Sequence, residues 1–317
     1  LLKIFIMNSM ETSPSNTYSK GDNILSKEER KNEDDIRIRK FNNWCKTLLL
    51  DGYAIEGDSL IDLGCGKCGD LQKWNSCKLK DVVGIDNQKV LLEEAERRYE
   101  ELISPSFSFH TCVSDCFGSF HAQVFKSMYD VCTCLFALQY AFESETKLDN
   151  FFSNVGFYLK PSTGKLLLIV PDSNVIVKKI REHYKRHRNS LLKTEFYTIE
   201  FSSLVEEFCI SSPPPPPLQQ LKSYGNRYTF SFGKAVQEVD EYLVCEDALI
   251  KVANKYGFTL SGAENLTHFY DQQKETEKGK FLWSRMMQRN MDSGGDITSS
   301  EWDACYLYKM FVFEISK

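Results

Sequence analysis

The sequence predicts an α/β fold built on a doubly wound, mostly parallel sheet. One observation is that short apolar runs alternate with segments of helical periodicity from residue 36 onward, as strands and their crossover helices do. Another is that the apolar run Ser59–Leu63 leads directly into a loop containing Gly64, Gly66 and Gly69. Right-handed crossovers place every loop that follows a strand on the same edge of such a sheet. We therefore expect a ligand site at that edge.

The predicted elements follow one another in βα order. An amphipathic helix from Ile36 precedes the first strand, and the next helix begins near Asp70. The expected strands of the main sheet are Ser59–Leu63, Asp81–Ile85, Phe107–Val113, Tyr129–Leu135, Lys165–Val170 and, antiparallel at the edge, Tyr306–Ile315. The other expected helices are Val90–Leu102, Ser144–Leu159, a basic helix Val175–Asn189 and a helix ending at Lys255. Further strands are predicted at Phe196–Phe201 and Tyr228–Phe232.

Bulk composition narrows the class of protein. The 317 residues are 26% charged and 42% hydrophobic, with a net charge of −5, which fits a globular domain and excludes a general polyanion binder. We expect a disordered tail over residues 1–35, one domain over 36–317, and an exposed insertion loop at the proline run 211–217. The 11 cysteines and 5 histidines show neither disulfide-framework nor metal-site spacing. We predict reduced thiols, no metal and no membrane span.

The glycine loop has the composition of a nucleotide-binding turn. Glycine accepts a positive φ and lets a ligand lie against the main chain, while the following helix offers free N–H groups. With Asp86 at the next strand end, the spacing also fits an NAD-dependent oxidoreductase, which stays an alternative. Asp62, a carboxylate ahead of the first glycine, favours S-adenosylmethionine (SAM), because it suits an amino group rather than a pyrophosphate. Cys65 and Cys68 form a redox-type Cys-x-x-Cys, but their place among these glycines disfavours that role.

Several segments outside the loop carry a more specific signal. They are Arg39–Lys46 (RKFNNWCK), Gly69–Trp74 (GDLQKW), Phe136–Glu143 (FALQYAFE), Pro171–Ile176 (PDSNVI), Tyr228–Phe230, Asp240–Val244 and Tyr308–Phe311. From about Arg37 onward the chain resembles the mRNA cap guanine-N7 methyltransferase family, whose fold is the Rossmann-like class I SAM-dependent methyltransferase fold. The resemblance implies an enzyme of mRNA capping and mRNA processing that transfers a methyl group from SAM to N7 of the cap guanine. It also implies a C-terminal insertion region and a final edge strand.

The resemblance assigns site residues as well. For SAM binding it implies, together with the loop pattern, Lys46, Asp62, Gly64, Gly66, Asp70, Asp86, Asp115 and Tyr140. For cap binding the resemblance points to Asn43, Phe136, Tyr140, Pro171, Glu241 and Tyr308, and we also expect Asn42 and Gln139 to contribute. The charge of the basic helix further predicts phosphate contacts from Lys178, Lys179 and Arg181, with an ordinary solvated helix face as the alternative. The residue types suit these roles, because a carboxylate such as Glu241 can accept from the ring N–H and the exocyclic amine of guanine together. Aromatic rings and proline offer the purine a flat surface.

Four positions depart from the family pattern. Cys68 stands where glycine is usual, Leu135 where glutamine is usual, Gln139 where histidine is usual, and Asp240 where proline is common. We expect Cys68 to be tolerated at a negative φ. We expect Gln139 to donate a hydrogen bond toward the base or SAM. Nothing in the sequence accounts for Leu135.

We expect catalysis by alignment, with no catalytic residue in the sense of a general base. Guanine N7 already carries a free lone pair, so in-line positioning supplies the rate. Two alternatives besides the oxidoreductase stay open: a SAM-dependent methyltransferase acting on another RNA or a small molecule, and an inactive cap-binding protein. The resemblance further implies a nuclear location and, as partners, capped RNA, the capping enzyme, RNA polymerase II or an activating subunit.

Overall fold

A computed structural model describes residues 34–119, 128–201, 222–234, 236–288 and 296–316. The predicted tail, except for its last two residues, and the whole proline run 211–217 lie outside the described residues. Within the described residues, no helix combines the length and the apolar character needed to cross a lipid bilayer.

Strands and helices alternate along the first half of the chain. The strands are β1 (Ser59–Leu63), β2 (Asp81–Asp86), β3 (Ser108–Val113), β4 (Val131–Leu135), β5 (Lys165–Pro171), β6 (Leu191–Lys193), β7 (Tyr197–Glu200), β8 (Arg227–Phe232), β9 (Val236–Tyr242), β10 (Phe258–Asn265) and β11 (Tyr308–Ile315). The α-helices are α1 (Ile36–Tyr53), α2 (Leu71–Ser76), α3 (Lys89–Glu100), α4 (Glu145–Tyr158), α5 (Ser173–His187), α6 (Glu246–Lys255), α7 (Leu266–Gln273), α8 (Glu277–Trp283) and α9 (Ser299–Cys305). A 3₁₀ helix spans Leu138–Glu143, and a π-helical turn spans Ser284–Gln288.

The central sheet has seven strands in the order β10-β11-β5-β4-β1-β2-β3. Strands β1 to β5 are parallel to one another, as predicted, and β1 is buried along its whole length, which is typical of a strand covered by helices on both faces. The predicted fold class is confirmed. In one detail it was wrong: β11 lies between β5 and β10 and is antiparallel to both, so the edge strand is β10. The alternation of small and polar residues in β10 concealed it.

A second, four-stranded antiparallel sheet, β6-β7-β8-β9, forms the insertion between α5 and α6. Two of its strands were predicted, but β9 was not, because its sequence VQEVDEY looks too polar for a strand. Only Val239 and Glu241 of β9 are buried, on alternate positions. Glu241 thereby faces inward and pairs in register with Tyr228 on β8.

Helix α1 is anchored by an aromatic cluster built from the C-terminal half of the chain. Trp44 is fully buried, its indole Nε1 donates to the carbonyl oxygen of Gly279 at 3.1 Å, and its ring lies 5.4 Å from those of Tyr270 and Trp283. Phe41 contacts Trp302 in α9 edge-on, with 5.4 Å between ring centroids. This packing fixes the helix that carries Asn43 and Lys46.

Candidate functional site

The loop between β1 and α2 is shaped by its glycines. Gly64 has φ +71°, and a β-carbon at this position would lie 2.7 Å from the β-carbon of Ala137, so only glycine fits without displacing its neighbour. The backbone N–H of Gly66 donates to Asp86 Oδ2 at 2.9 Å, and that of Gln88 donates to Oδ1 at 2.9 Å. Burial raises the pKa of Asp86, although these two N–H groups oppose the rise. The acid that ends β2 therefore holds the loop in place.

Cys68 adopts a conformation that was not expected. Its φ is +49°, in the left-handed region that non-glycine residues seldom occupy, so the condition under which cysteine was expected to be tolerated here is not met. A β-carbon at Gly84 would lie 2.9 Å from Cys65 Sγ and 3.2 Å from Cys68 Sγ, which means that Gly84 makes room for both thiols. A hydrogen bond with Cys68, together with burial, raises the pKa of Cys65 well above its usual value. A low-pKa thiolate of the redox-active kind is therefore disfavoured.

Asp62 is a buried carboxylate on β1. Thr133, its register partner on β4, donates its hydroxyl to Asp62 Oδ1 at 2.6 Å. Burial, and next the negative charge of Asp70, raise the pKa of Asp62 to about 7. The sequence analysis did not include Thr133, because the contact spans 71 positions and no local spacing signals it. A carboxylate with this pKa gains from a bound cation.

Asp70, the residue before α2, lies between two lysines. Lys46 Nζ of α1 is 2.9 Å from Asp70 Oδ2, and Lys73 Nζ of α2 is 2.7 Å from Oδ1. Burial alone would raise the pKa of Asp70, but the two ammonium groups hold it well below its usual value. Lys73 also donates to Asn43 Oδ1 at 2.7 Å. Sequence reasoning missed Lys73, although its i+3 spacing from Asp70 is the signal of a helical ion pair.

Phe136 connects the glycine loop to the rest of the site. It follows β4 directly and has φ +67°, and its ring lies edge-on to that of Tyr308 with 4.9 Å between centroids. Lys46 Nζ lies 5.2 Å from the centroid of the Phe136 ring, so one ammonium group touches both Asp70 and Phe136. Pro171 is the register partner of Tyr308 across β5 and β11. Five predicted site residues are thus brought together: Lys46, Asp70, Phe136, Pro171 and Tyr308.

Glu241 forms the far end of this chain of contacts. It is buried and accepts from the Tyr228 hydroxyl at 2.7 Å and from Gln139 Nε2 at 3.1 Å. Burial raises the pKa of Glu241 to about 7, and the two donors oppose the rise. Gln139 Nε2 also donates to the carbonyl oxygen of Phe136 at 3.0 Å. Tyr228 was not among the predicted site residues, although its segment Tyr228–Phe230 was singled out.

The remaining predicted site residues lie around this chain of contacts. Asp115 Oδ1, beyond the end of β3, accepts from the backbone N–H of Phe117 at 2.9 Å. Asn42 lies on α1 beside Asn43, and Tyr140 is half-buried in the 3₁₀ helix beside Gln139. Leu135 ends β4 half-buried and packs against the apolar core, which gives this departure from the family pattern a structural account.

Helix α5 carries the predicted basic residues but does not present all of them to solvent. Lys178 is exposed, whereas Arg181 is half-buried. Lys179 forms an ion pair with Asp303 of α9, so its charge is already compensated within the protein. The exposed cations of this helix are Lys178, Lys185 and Arg186.

The residues at the strand ends fit a bound SAM molecule. The cradle at Gly64 leaves no room for a side chain, and carboxylates at β1, at the end of β2 and beyond β3 can accept from an ammonium group, from hydroxyls and from an amine. In the described residues, no three His, Cys, Asp or Glu side chains cluster as metal ligands would.

Comparisons with known proteins identify the family. The profile of the mRNA (guanine-N(7))-methyltransferase domain matches residues 8–316. The mRNA cap guanine-N(7) methyltransferase of Schizosaccharomyces pombe is 30% identical over 289 residues, covering 88% of this chain and 75% of that protein. The mRNA cap guanine-N(7) methyltransferase 1 of Arabidopsis thaliana is 28% identical over 296 residues, covering 90% and 76%. The solved CcbJ methyltransferase of Streptomyces caelestis, 9% identical, shares the fold with a TM-score of 0.52 over 87% of this chain and 90% of its own. The chain therefore belongs to the mRNA (guanine-N(7))-methyltransferase family.

Proposed function

We propose that this protein transfers a methyl group from SAM to N7 of the guanine cap at the 5′ end of mRNA. One observation carries the proposal beyond family membership: an unbroken series of contacts joins the glycine loop to a buried carboxylate. Lys46 touches both Asp70 and Phe136, and Gln139 then links Phe136 to Glu241. A donor site and a base site in contact are what direct transfer between two ligands requires.

The residues of the loop edge would hold the methyl donor. Asp62 accepts from the amino group of its methionine end, Asp86 from the ribose hydroxyls and Asp115 from the adenine amine. Gly64 and Gly66 let the ligand lie against the main chain, while Lys46 and Lys73 keep Asp70 ionised and in position. When bound, SAM supplies the methyl group on a positively charged sulfur.

The second half of the site would hold the cap. Glu241 accepts from the ring N–H and the exocyclic amine of guanine, and Phe136, Tyr308 and Pro171 provide flat apolar surfaces for the purine. Guanine N7 attacks with its own lone pair, so no side chain removes a proton. The work of the protein is to fix the base in line with the methyl group and to exclude water.

The wider assignments rest on family membership. We propose that residues 36–317 form one domain, and that the exposed cations of α5 contact RNA phosphates. A nuclear location, and contact with the capping enzyme, RNA polymerase II or an activating subunit, belong to the same proposal. The inactive cap-binding alternative was motivated by Leu135 and Gln139. Both are accommodated, since the half-buried Leu135 packs against the core and Gln139 contacts Glu241.

The test is methyl transfer from tritiated SAM by the purified protein. The substrates are RNA carrying an unmethylated guanosine cap, the same RNA without a cap, and the same RNA whose cap is already methylated at N7. We expect label only on the first RNA, recovered as 7-methylguanosine after cap digestion. Label on uncapped RNA, or none on any substrate, would overturn the proposed function.

A further inference from the structure

Asp62 and Thr133 form a side-chain pair on neighbouring strands of the central sheet. They are register partners in the parallel pairing of β1 with β4, so their side chains project from the same face of the sheet. Leu60, two positions earlier on that face of β1, packs in the apolar cluster that contains the buried residues of α1. The pair therefore lies on the face that α1 covers, and Lys46 of this helix acts on the charge of Asp62.

Thr133 controls the orientation of the Asp62 carboxylate. Thr133 is 1% exposed, and its hydroxyl donates to Asp62 Oδ1 at 2.6 Å. The last side-chain torsion of an aspartate is broad, whereas a β-branched threonine is stiff, so this hydrogen bond fixes the plane of the carboxylate. In the described part of the chain it is the only hydrogen bond to this carboxylate, and Asp62 Oδ2 keeps its lone pairs for a ligand.

The protein leaves the charge of Asp62 incompletely compensated. Burial, and next the negative charge of Asp70, raise the pKa of Asp62 to about 7. The hydrogen bond from Thr133 and the charge of Lys46 oppose the rise, and the charge of Asp86 adds to it. Lys46 is already engaged with Asp70, with 2.9 Å between its Nζ and Oδ2. An ammonium group of a ligand in contact with Asp62 would supply the missing positive charge.

We propose that Thr133 is a positioning residue for the methyl donor: its hydroxyl holds Asp62 Oδ1, so that Asp62 Oδ2 accepts from the amino group at the methionine end of SAM. This inference rests on the donor half of the proposed function, in which Asp62 binds that amino group. Thr133 acts through Asp62, and its hydroxyl sets how tightly the amino-acid half of the ligand is held. The adenosine half depends on other residues.

The experiment compares two ligands that differ at the methionine end. S-adenosylhomocysteine carries the amino-acid group, whereas 5′-methylthioadenosine has a methyl group in its place. Calorimetry measures the dissociation constant of each ligand for the wild-type protein, for Thr133→Val, which removes the hydroxyl and keeps the shape, and for Thr133→Ser, which keeps the hydroxyl. The melting temperature verifies that each variant is folded.

Thr111→Val is the matched control. Thr111 also lies on a strand and donates its hydroxyl to a carboxylate, that of Glu96, but its strand β3 is at the edge of the sheet. Thr111→Val therefore removes the same kind of hydrogen bond without touching Asp62, and we expect it to change neither dissociation constant.

We expect Thr133→Val to weaken the binding of S-adenosylhomocysteine about tenfold and to leave that of 5′-methylthioadenosine unchanged, while Thr133→Ser restores the lost affinity. An equal fall for both ligands, no fall for S-adenosylhomocysteine, or no restoration by serine would overturn the inference. A wild-type protein that binds S-adenosylhomocysteine but leaves guanosine-capped RNA unmethylated would instead contradict the proposed function and leave this inference standing.

If Thr133→Val does not fold, a crystal structure of the wild-type protein with S-adenosylhomocysteine decides. A distance of about 2.7–3.2 Å between Asp62 Oδ2 and the amino nitrogen, with the Thr133 hydroxyl still on Oδ1, supports the inference, and a distance above about 3.5 Å excludes it.

Discussion

Two buried carboxylates, one at each end of the site, are stabilised in opposite ways. Asp70, at the methyl-donor end, lies between the ammonium groups of Lys46 and Lys73. Glu241, at the base end, is held by the neutral donors Tyr228 and Gln139. Burial acts to raise the pKa of both groups, yet the pKa of Asp70 ends below its usual value and that of Glu241 rises to about 7. The difference shows that the nature of the partner, and not burial alone, sets the charge of a buried acid.

The difference in charge between Asp70 and Glu241 suits the roles proposed for these two residues. Asp70 orders a loop whether or not a ligand is present, so a permanent charge with its own counterions is appropriate. In the proposed function Glu241 binds the guanine base, and the N–H groups of the base then compensate its charge. Guanine N–H groups bound to the carboxylate lower the pKa of Glu241, so recognition and ionisation are coupled.

We expect the largest effect when the ionised carboxylate of Asp70 is removed. Asp70→Ala leaves the buried ammonium groups of Lys46 and Lys73 without their carboxylate, and we expect the free energy of unfolding to fall by about 3–5 kcal/mol. Urea denaturation followed by circular dichroism measures it. Glu93→Ala is the control, because its ion pair with Lys89 is exposed and we expect no measurable loss. An equal loss of unfolding free energy in the two variants would mean that Asp70 contributes no more to stability than an exposed acid does.

Glu241→Gln should separate base recognition from donor binding. The amide keeps the shape but presents N–H groups to the donor edge of guanine, and we expect kcat/KM for capped RNA to fall about 100-fold, or roughly 2.7 kcal/mol. The dissociation constant of SAM, measured by calorimetry, should stay within about twofold. Asp240→Asn, on the exposed face of the same strand, is the matched control and should change neither. A parallel loss of SAM affinity in Glu241→Gln would mean that the two ends are not separable.

The pH dependence of cap binding should reflect the titration of Glu241. Because the pKa of Glu241 is about 7 and the carboxylate is the binding form, affinity for a cap dinucleotide should rise about tenfold from pH 6 to pH 8. Fluorescence titration measures this affinity, and Glu241→Gln should flatten the profile.

The stability of the free protein should change with pH in the opposite direction. A carboxyl whose folded pKa is raised contributes most below its unfolded pKa of 4.5, and this contribution is lost as the pH rises through about 7.

We expect the smallest effect from substitutions of the basic residues of helix α5. Replacing the exposed Lys178 and Arg186 with alanine should raise the KM for capped RNA severalfold at low salt and little at high salt, because phosphate contacts depend on counterion release. Lys179→Ala is a matched comparison, since its charge is already paired with Asp303 and we expect a smaller change. No salt-dependent change in the double variant would make α5 an ordinary solvated helix.

The sequence predicted those parts of the molecule in which local pattern and chain order decide the structure. Strands β1 to β5 lie within two residues of their predicted bounds, because parallel strands are apolar runs separated by helices. Asp86 ends β2 and Asp115 lies two residues beyond the end of β3, so the shared edge of the sheet brings them to one side. Phe136, Glu241 and Tyr308 required the family resemblance, since no spacing in the chain connects them.

What escaped prediction depends on contacts between distant residues. Thr133 contacts Asp62 across 71 positions, so local periodicity could not identify it. Gln139 and Glu241 were both expected in the site, but their contact with each other across 102 positions could not be predicted. Strand β9 was not predicted because the residues on its exposed face are polar. The positive φ of Cys68 is imposed by the turn that the loop must make, and side-chain size alone does not reveal it.

The position of β11 has a consequence for the synthesis of the protein. This strand follows all the others in sequence, yet it pairs with β5 on one side and β10 on the other. During translation, a nascent chain that ends before Tyr308 therefore carries two strand edges whose partner has not yet been made. Such edges pair readily with other chains, so we expect the growing polypeptide to depend on chaperones until β11 has left the ribosome and closes the sheet.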